Sequence, residues 1–143
     1  VQNNFKEDDM ADVLLDGDGG GELTLADGDR ITKCDGRGVW IVWAENGGDL
    51  IILDKKDGDG SLELHGFKSV NIRNKKDGNG TLIVSEDCGT FSVHEINGGG
   101  TTVLRNAGSK RIDHKDGNGN LFFRGQPPII STKNGSGQVK REA

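Results

Sequence analysis

Apolar and polar residues alternate along this chain in runs of four to six, and a glycine-rich turn ends each run. Examples are "ELTL", "SLEL", "TLIV" and "NLFF", each following a turn such as "DGDGGG", "KKDGDG", "KKDGNG" or "HKDGNG". A period of two between turn signals reads as β-strand, and no run of twelve residues carries the spacing of an amphipathic helix. With the glycine closing each tight turn as a register mark, Gly21, Gly38, Gly60, Gly80, Gly100, Gly119 and Gly137 open seven segments. These lie about 20 residues apart, and a looser turn in the middle of each leads to a second strand, such as "RITK", "SVNIR" or "PIIS". Two strands per unit at a fixed period predict a repeat architecture. The expected fold is all-β, a parallel β-solenoid of about seven two-strand coils in which equivalent residues stack about 4.8 Å apart. The alternative is an antiparallel β-sandwich or barrel, because Asp-Gly and Asn-Gly are also preferred hairpin corners.

The pattern assigns an interior. Leu23 and Leu25, Trp40 and Val42, Leu62 and Leu64, Leu82 and Val84, and Leu121 and Phe123 form one wall. Ile31, Ile52, Val70, Ile72, Val93, Ile112 and Ile129 form the facing one. At the tight turns Asp35, Asp57, Asp77, Asn97, Asp116 and Asn134 fall in one column, where stacked carboxylates repel. Lys56, Lys76, Lys115 and Lys133 precede them and are expected to form a compensating cationic ladder. Cys34 and Cys88 lie three coils apart, about 14 Å along the axis, beyond the roughly 7 Å Cα limit for a disulfide. Two free thiols or an intermolecular bond are expected; an intramolecular bridge is incompatible with the solenoid.

Composition narrows the class. Glycine contributes 24 of 143 residues and hydrophobic residues only 31%, so the core must be thin. The formal charge of −5 and the lack of a basic stripe with aromatics argue against nucleic acid. The longest apolar runs, "VWIVWA" and "LIIL", fall far short of the roughly 20 residues of a membrane span. The chain starts at Val1, which suggests a removed leader, and the sequons at Asn79 and Asn134 lie in predicted turns. A secreted or cell-surface location is expected. Residues 1–143 read as one repeat domain, with a polar leader or cap at 1–12 and a charged cap at 138–143.

Candidate chemistry is sparse. "DGDG" at Asp16 and Asp57 suggests calcium, with Asp16, Asp18, Asp57 and Asp59 as candidate ligands and calcium as the one possible cofactor. The spacing does not match an EF-hand. The turns resemble the calcium β-roll repeat G-G-x-G-x-D-x-U-x, although this unit is longer and lysines flank the acids. His65, His94 and His114 fall at different phases of the repeat and read as surface residues. There is no nucleophile elbow and no phosphate loop, so enzyme activity is not expected.

Two outward rows remain. Ser61, Thr81, Thr101 and Asn120 form a small polar ladder of the kind a polysaccharide or ice surface could use. Ile83, Val103 and Phe122, with Ile41 and Trp43 earlier, form an apolar stripe that calls for a covering segment or a partner. The leader could cover it through Phe5, or a second copy could. The two-strand glycine-turn unit resembles in architecture the subunits of curli-type extracellular fibres, without their Gln and Asn ladders. The expected function is a non-catalytic extracellular structural or adhesive protein that self-associates or builds fibre or matrix. Its expected partners are itself, as a homo-oligomer or filament, or extracellular matrix or polysaccharide. The alternative is a module that binds polysaccharide, ice or calcium along one flat face.

Overall fold

The computed structural model describes residues 11–16 and 18–142. It is all-β, without a helix among the described residues, and its strands wind into a parallel solenoid of about six turns. The strands are β1 (Asp12–Leu15), β2 (Gly20–Leu25), β3 (Arg30–Cys34), β4 (Val39–Ala44), β5 (Asp49–Ile52), β6 (Lys55–Lys56), β7 (Ser61–His65) and β8 (Ser69–Lys76). They continue as β9 (Thr81–Val84), β10 (Thr90–Ile96), β11 (Thr101–Leu104), β12 (Lys110–Lys115), β13 (Asn120–Phe123), β14 (Ile129–Lys133) and β15 (Val139–Arg141). Sheet A runs β1-β3-β5-β8-β10-β12-β14, with the short β6 bridging β3 and β8; sheet B runs β15-β13-β11-β9-β7-β4-β2. Every ladder is parallel, which rules out the antiparallel sandwich and barrel.

The inward residues of the two sheets meet in a core two side chains thick. Leu62, Leu64, Leu82, Val84 and Leu121 of sheet B are fully buried against Ile31, Ile52, Ile72 and Ile112 of sheet A. Each such side chain contributes about 1.5–3 kcal/mol by burial, and this economy lets a chain so poor in apolar residues fold. The last rung of the sheet A wall is Ile130, paired with Ile112. Ile129 instead aligns with Arg111 and is 60% exposed, so the expected inward position is one residue off. The first coil is shifted too. Gly20 pairs with Val39 and Gly21 with Trp40, so the glycine equivalent to Gly38 is Gly19 rather than Gly21. Three consecutive glycines hid the register, and Leu23 and Leu25 stack on Val42 and Ala44.

The tight turns are built from backbone stacked on backbone. A Cβ on Gly80 would lie 2.0 Å from the Gly60 carbonyl oxygen, and one on Gly119 2.1 Å from that of Gly100. Gly58 and Gly78 adopt φ of 80° and 78°, a left-handed turn conformation that glycine takes without strain.

The lysines run opposite to expectation. Lys56, Lys76 and Lys115 point inward and are about 1% exposed, while Lys133 of the last coil is exposed. Their column reads Leu15, Cys34, Lys56, Lys76, Ile96, Lys115, Lys133, which marks it as an interior position. Each buried ammonium donates to the carbonyl four residues on: Lys56 to Gly60, Lys76 to Gly80 and Lys115 to Gly119, all at 2.8 Å. The turn carboxylates are served from outside by the first lysine of the pair, with Lys55 3.1 Å from Asp57 and Lys75 3.5 Å from Asp77. Strand alternation explains this, because adjacent residues point to opposite faces.

Cys34 and Cys88 are free and buried, as the solenoid requires. Burial pushes the Cys34 thiol up to about 11, against the neighbouring Lys56.

Candidate interaction face

The outward face of sheet B carries three parallel rows, one residue per coil. The first row contains Val39, Ser61, Thr81, Thr101 and Asn120, in hydrogen-bonded register. The polar ladder therefore exists as a geometric unit. Val39, at 59% exposure, extends it with an apolar group on the earlier coil.

The second row reads Glu22, Ile41, Glu63, Ile83, Val103, Phe122, Lys140. Ile83, Val103 and Phe122 are consecutive, and the ladder shields itself. Val103, between its two neighbours, is only 8% exposed, while Ile83 and Phe122 are half-buried. Glu63 separates this trio from Ile41, and Lys140 closes its other end. The stripe is thus an apolar patch bounded by one charge of each sign. Whether Phe5 covers it lies outside the described residues, as does most of the 1–12 segment.

The third row lies beside it. Trp43 stacks on His65, with ring centroids 4.2 Å apart, and His65 hydrogen-bonds Glu63 at 2.5 Å. Asp87 accepts the Gly66 N–H at 2.9 Å and lies 3.7 Å from the other His65 ring nitrogen. On the later coils Arg105 and Arg124 both reach Glu142, at 2.7 and 2.8 Å. The Arg105 hydrogen bond, with both arginines nearby, holds the Glu142 carboxyl below its usual range. Part of the expected C-terminal cap is therefore a rung of the solenoid: Val139 packs on the core and Arg141 lies over the Phe123 ring at 4.8 Å.

The remaining candidates are spread over the molecule. Asp57 is engaged by the Gly58 N–H and Lys55, which together outweigh partial burial and lower its pKa. Asp59, Asp16 and Asp18 are exposed. Among the described residues, no group of three or more His, Cys, Asp or Glu side chains could hold a metal ion. Asn79 and Asn134 are exposed in their turns. His65 is half-buried in the Trp43 stack, and His94 meets the His114 ring edge-on at 5.3 Å. Sequence reasoning missed that contact, which joins adjacent coils one residue off the 19-residue register of β10 and β12. No helix among the described residues is long and apolar enough to cross a membrane. Comparison with protein-family models, curated proteins and solved structures gives no match.

Proposed function

We propose that this chain is a non-catalytic structural and adhesive repeat protein of the cell exterior that self-associates through the outward face of sheet B. The observation that carries the reading is the registered trio Ile83, Val103 and Phe122. A flat apolar patch with Glu63 at one end and Lys140 at the other is self-complementary for two copies placed antiparallel. Glu63 of one copy would then lie near Lys140 of the other, a symmetric contact of the kind dimers use. Such a contact can propagate into fibre or matrix only if a second surface also engages.

The test is mass across a concentration series by light scattering, with negative-stain imaging, with and without a calcium chelator. Growth in mass that is insensitive to chelator and lost in Phe122→Lys supports the reading; a monomer at all concentrations defeats it. A monomer would favour a second reading, supported by the in-register row Ser61, Thr81, Thr101 and Asn120: a module that binds polysaccharide or ice along this face. Loss of thermal stability on chelation would point to calcium instead.

A further inference from the structure

The opposite face of the solenoid contains a groove that this reading does not use. On sheet A, Asn71, Ser92 and Arg111 stack in one outward row through successive pairings of β8, β10 and β12. The next row holds Arg73, His94 and Asp113. Between these rows the ladder slips: Val93 pairs with Ile72 but Glu95 pairs with Lys75, so Arg73 and Asn74 together oppose His94. Such a bulge bends its strand and re-aims a side chain. Here it accompanies a groove of about 320 Å³ lined by all six polar residues.

The polar groups in the groove are unequally satisfied. Asp113 is engaged by His94 at 3.2 Å. Asn71 donates its amide to the Ser92 oxygen at 2.7 Å, which leaves the Ser92 hydroxyl proton free to donate. Among the described residues, the exposed guanidiniums of Arg73 and Arg111 have no hydrogen-bond or ion-pair partner. Two unpaired guanidiniums and a hydroxyl donor around one concavity, with its one carboxylate already engaged, are a site for an anion. A planar guanidinium fork matches a carboxylate or sulfate in two hydrogen bonds.

We propose that this groove binds one carboxylate or sulfate group, held between Arg73 and Arg111 with Ser92 as a third donor. The chemistry is shared by free oxyanions and by the charged groups of an acidic polysaccharide. The net charge of −5 does not forbid it, because charges beyond about 8 Å are largely screened at physiological ionic strength. Binding should weaken as salt rises.

The experiment is calorimetric titration of the full chain with three probes: inorganic sulfate, a galacturonic acid tetramer and a neutral glucose tetramer. A Kd near or below about 1 mM for sulfate or the acidic tetramer, with none for the neutral one, is the expected result. Tighter binding of the tetramer than of sulfate assigns the site to a chain; equal or weaker binding assigns it to a free anion. Arg73→Gln and Arg111→Gln should each weaken binding about tenfold or more, with far-UV circular dichroism and Tm unchanged. Arg30→Gln, which removes an arginine elsewhere on sheet A already paired with Asp12 at 2.8 Å, should leave it unchanged. Failure of both anionic probes to bind overturns the proposal. So does binding that survives Arg73→Gln combined with Arg111→Gln, or that Arg30→Gln weakens equally.

Discussion

Each coil turns two corners, and the two are built on different principles. The first corner takes four residues in every complete coil, at 35–38, 57–60, 77–80, 97–100 and 116–119. The second varies from three residues at 66–68 to five at 85–89, 105–109 and 124–128. At the first corner glycine backbone stacks on glycine backbone, and in three coils a buried ammonium ties the turn from inside. At the second, interior fillers change coil by coil. Phe67 sits before Val70, Cys88 before Phe91, and Asn106 before Lys110, all buried. A large plug precedes a small wall residue, and small plugs precede larger ones. The first corner thus fixes register by backbone contact, while the second only has to fill volume and so tolerates different lengths and chemistries.

The largest expected break in this contrast comes from glycine. Gly80→Ala drives a methyl group onto the Gly60 carbonyl, 2.0 Å away, and onto Lys56 Nζ at 2.7 Å. A loss of at least about 3 kcal/mol in denaturant unfolding is expected. Gly125→Ala at the second corner meets a left-handed φ of 71°, which Gly80 does not have, but its nearest neighbour is 3.8 Å away. Only the conformational cost, about 1 kcal/mol, should remain. Equal losses at both sites would dissolve the distinction between the corners.

Lysine gives the next effect. Lys76→Met leaves the buried Gly80 carbonyl without its ammonium donor, at an expected cost of about 2 kcal/mol. Lys110→Met should cost about half that, because Val70 and Phe91 occupy the same column in the preceding coils.

The same lysine sharpens the contrast through pH. Burial, helped by Lys56, pushes Lys76 down to about 8 from 10.5. Below pH 8 it is charged in both folded and unfolded chains, and the full desolvation cost opposes folding. Between pH 8 and 10.5 the unfolded chain binds more protons, so stability rises with pH in that window. Cys34, raised from 9.0 to about 11, acts in the opposite direction above pH 9. Subtracting Lys76→Met from wild type at each pH cancels the thiol. The wild-type advantage should grow from pH 8 to 10.5, and a flat difference would mean that the ammonium is not desolvated.

The smallest effect is outside the turn. Lys75→Ala removes an ion pair with both side chains about 30% exposed, and a change within about 0.5 kcal/mol is expected. A larger loss would move the work of holding the turn from the inner lysine to the outer one.

Much of this architecture is legible in the sequence, because a solenoid repeats its period-two alternation and its turn glycines in every coil. The inner lysines are legible only through their column. Cys34 and Ile96 stand where Lys56, Lys76 and Lys115 stand, and an apolar occupant betrays an interior site. A lysine pair taken alone reads as surface. The first-coil register and the choice of Ile130 over Ile129 were not legible for local reasons. Three equivalent glycines surround the one, and two adjacent isoleucines follow Pro127 and Pro128 in the other. The four-residue polar ladder and the apolar trio could be read as rows, whereas the stacking of Trp43 on His65 could not. The groove on sheet A could not, because it depends on a bulge that shifts the ladder between Ile72 and Lys75.

The inner lysine column also limits how such a molecule can grow by tandem copying. Lys56 and Lys76 already adjoin, and both Lys56 and Lys115 push the Lys76 ammonium toward its neutral form. Ile96 separates that pair from Lys115 as an uncharged spacer. Duplicating the coil that carries Lys76 would place three ammoniums side by side in the interior, each copy harder to charge than the last. A chain lengthened one coil at a time would therefore have to keep inserting neutral rungs, and the sequence of lysines and isoleucines at that one position would record how many copies the fold could carry.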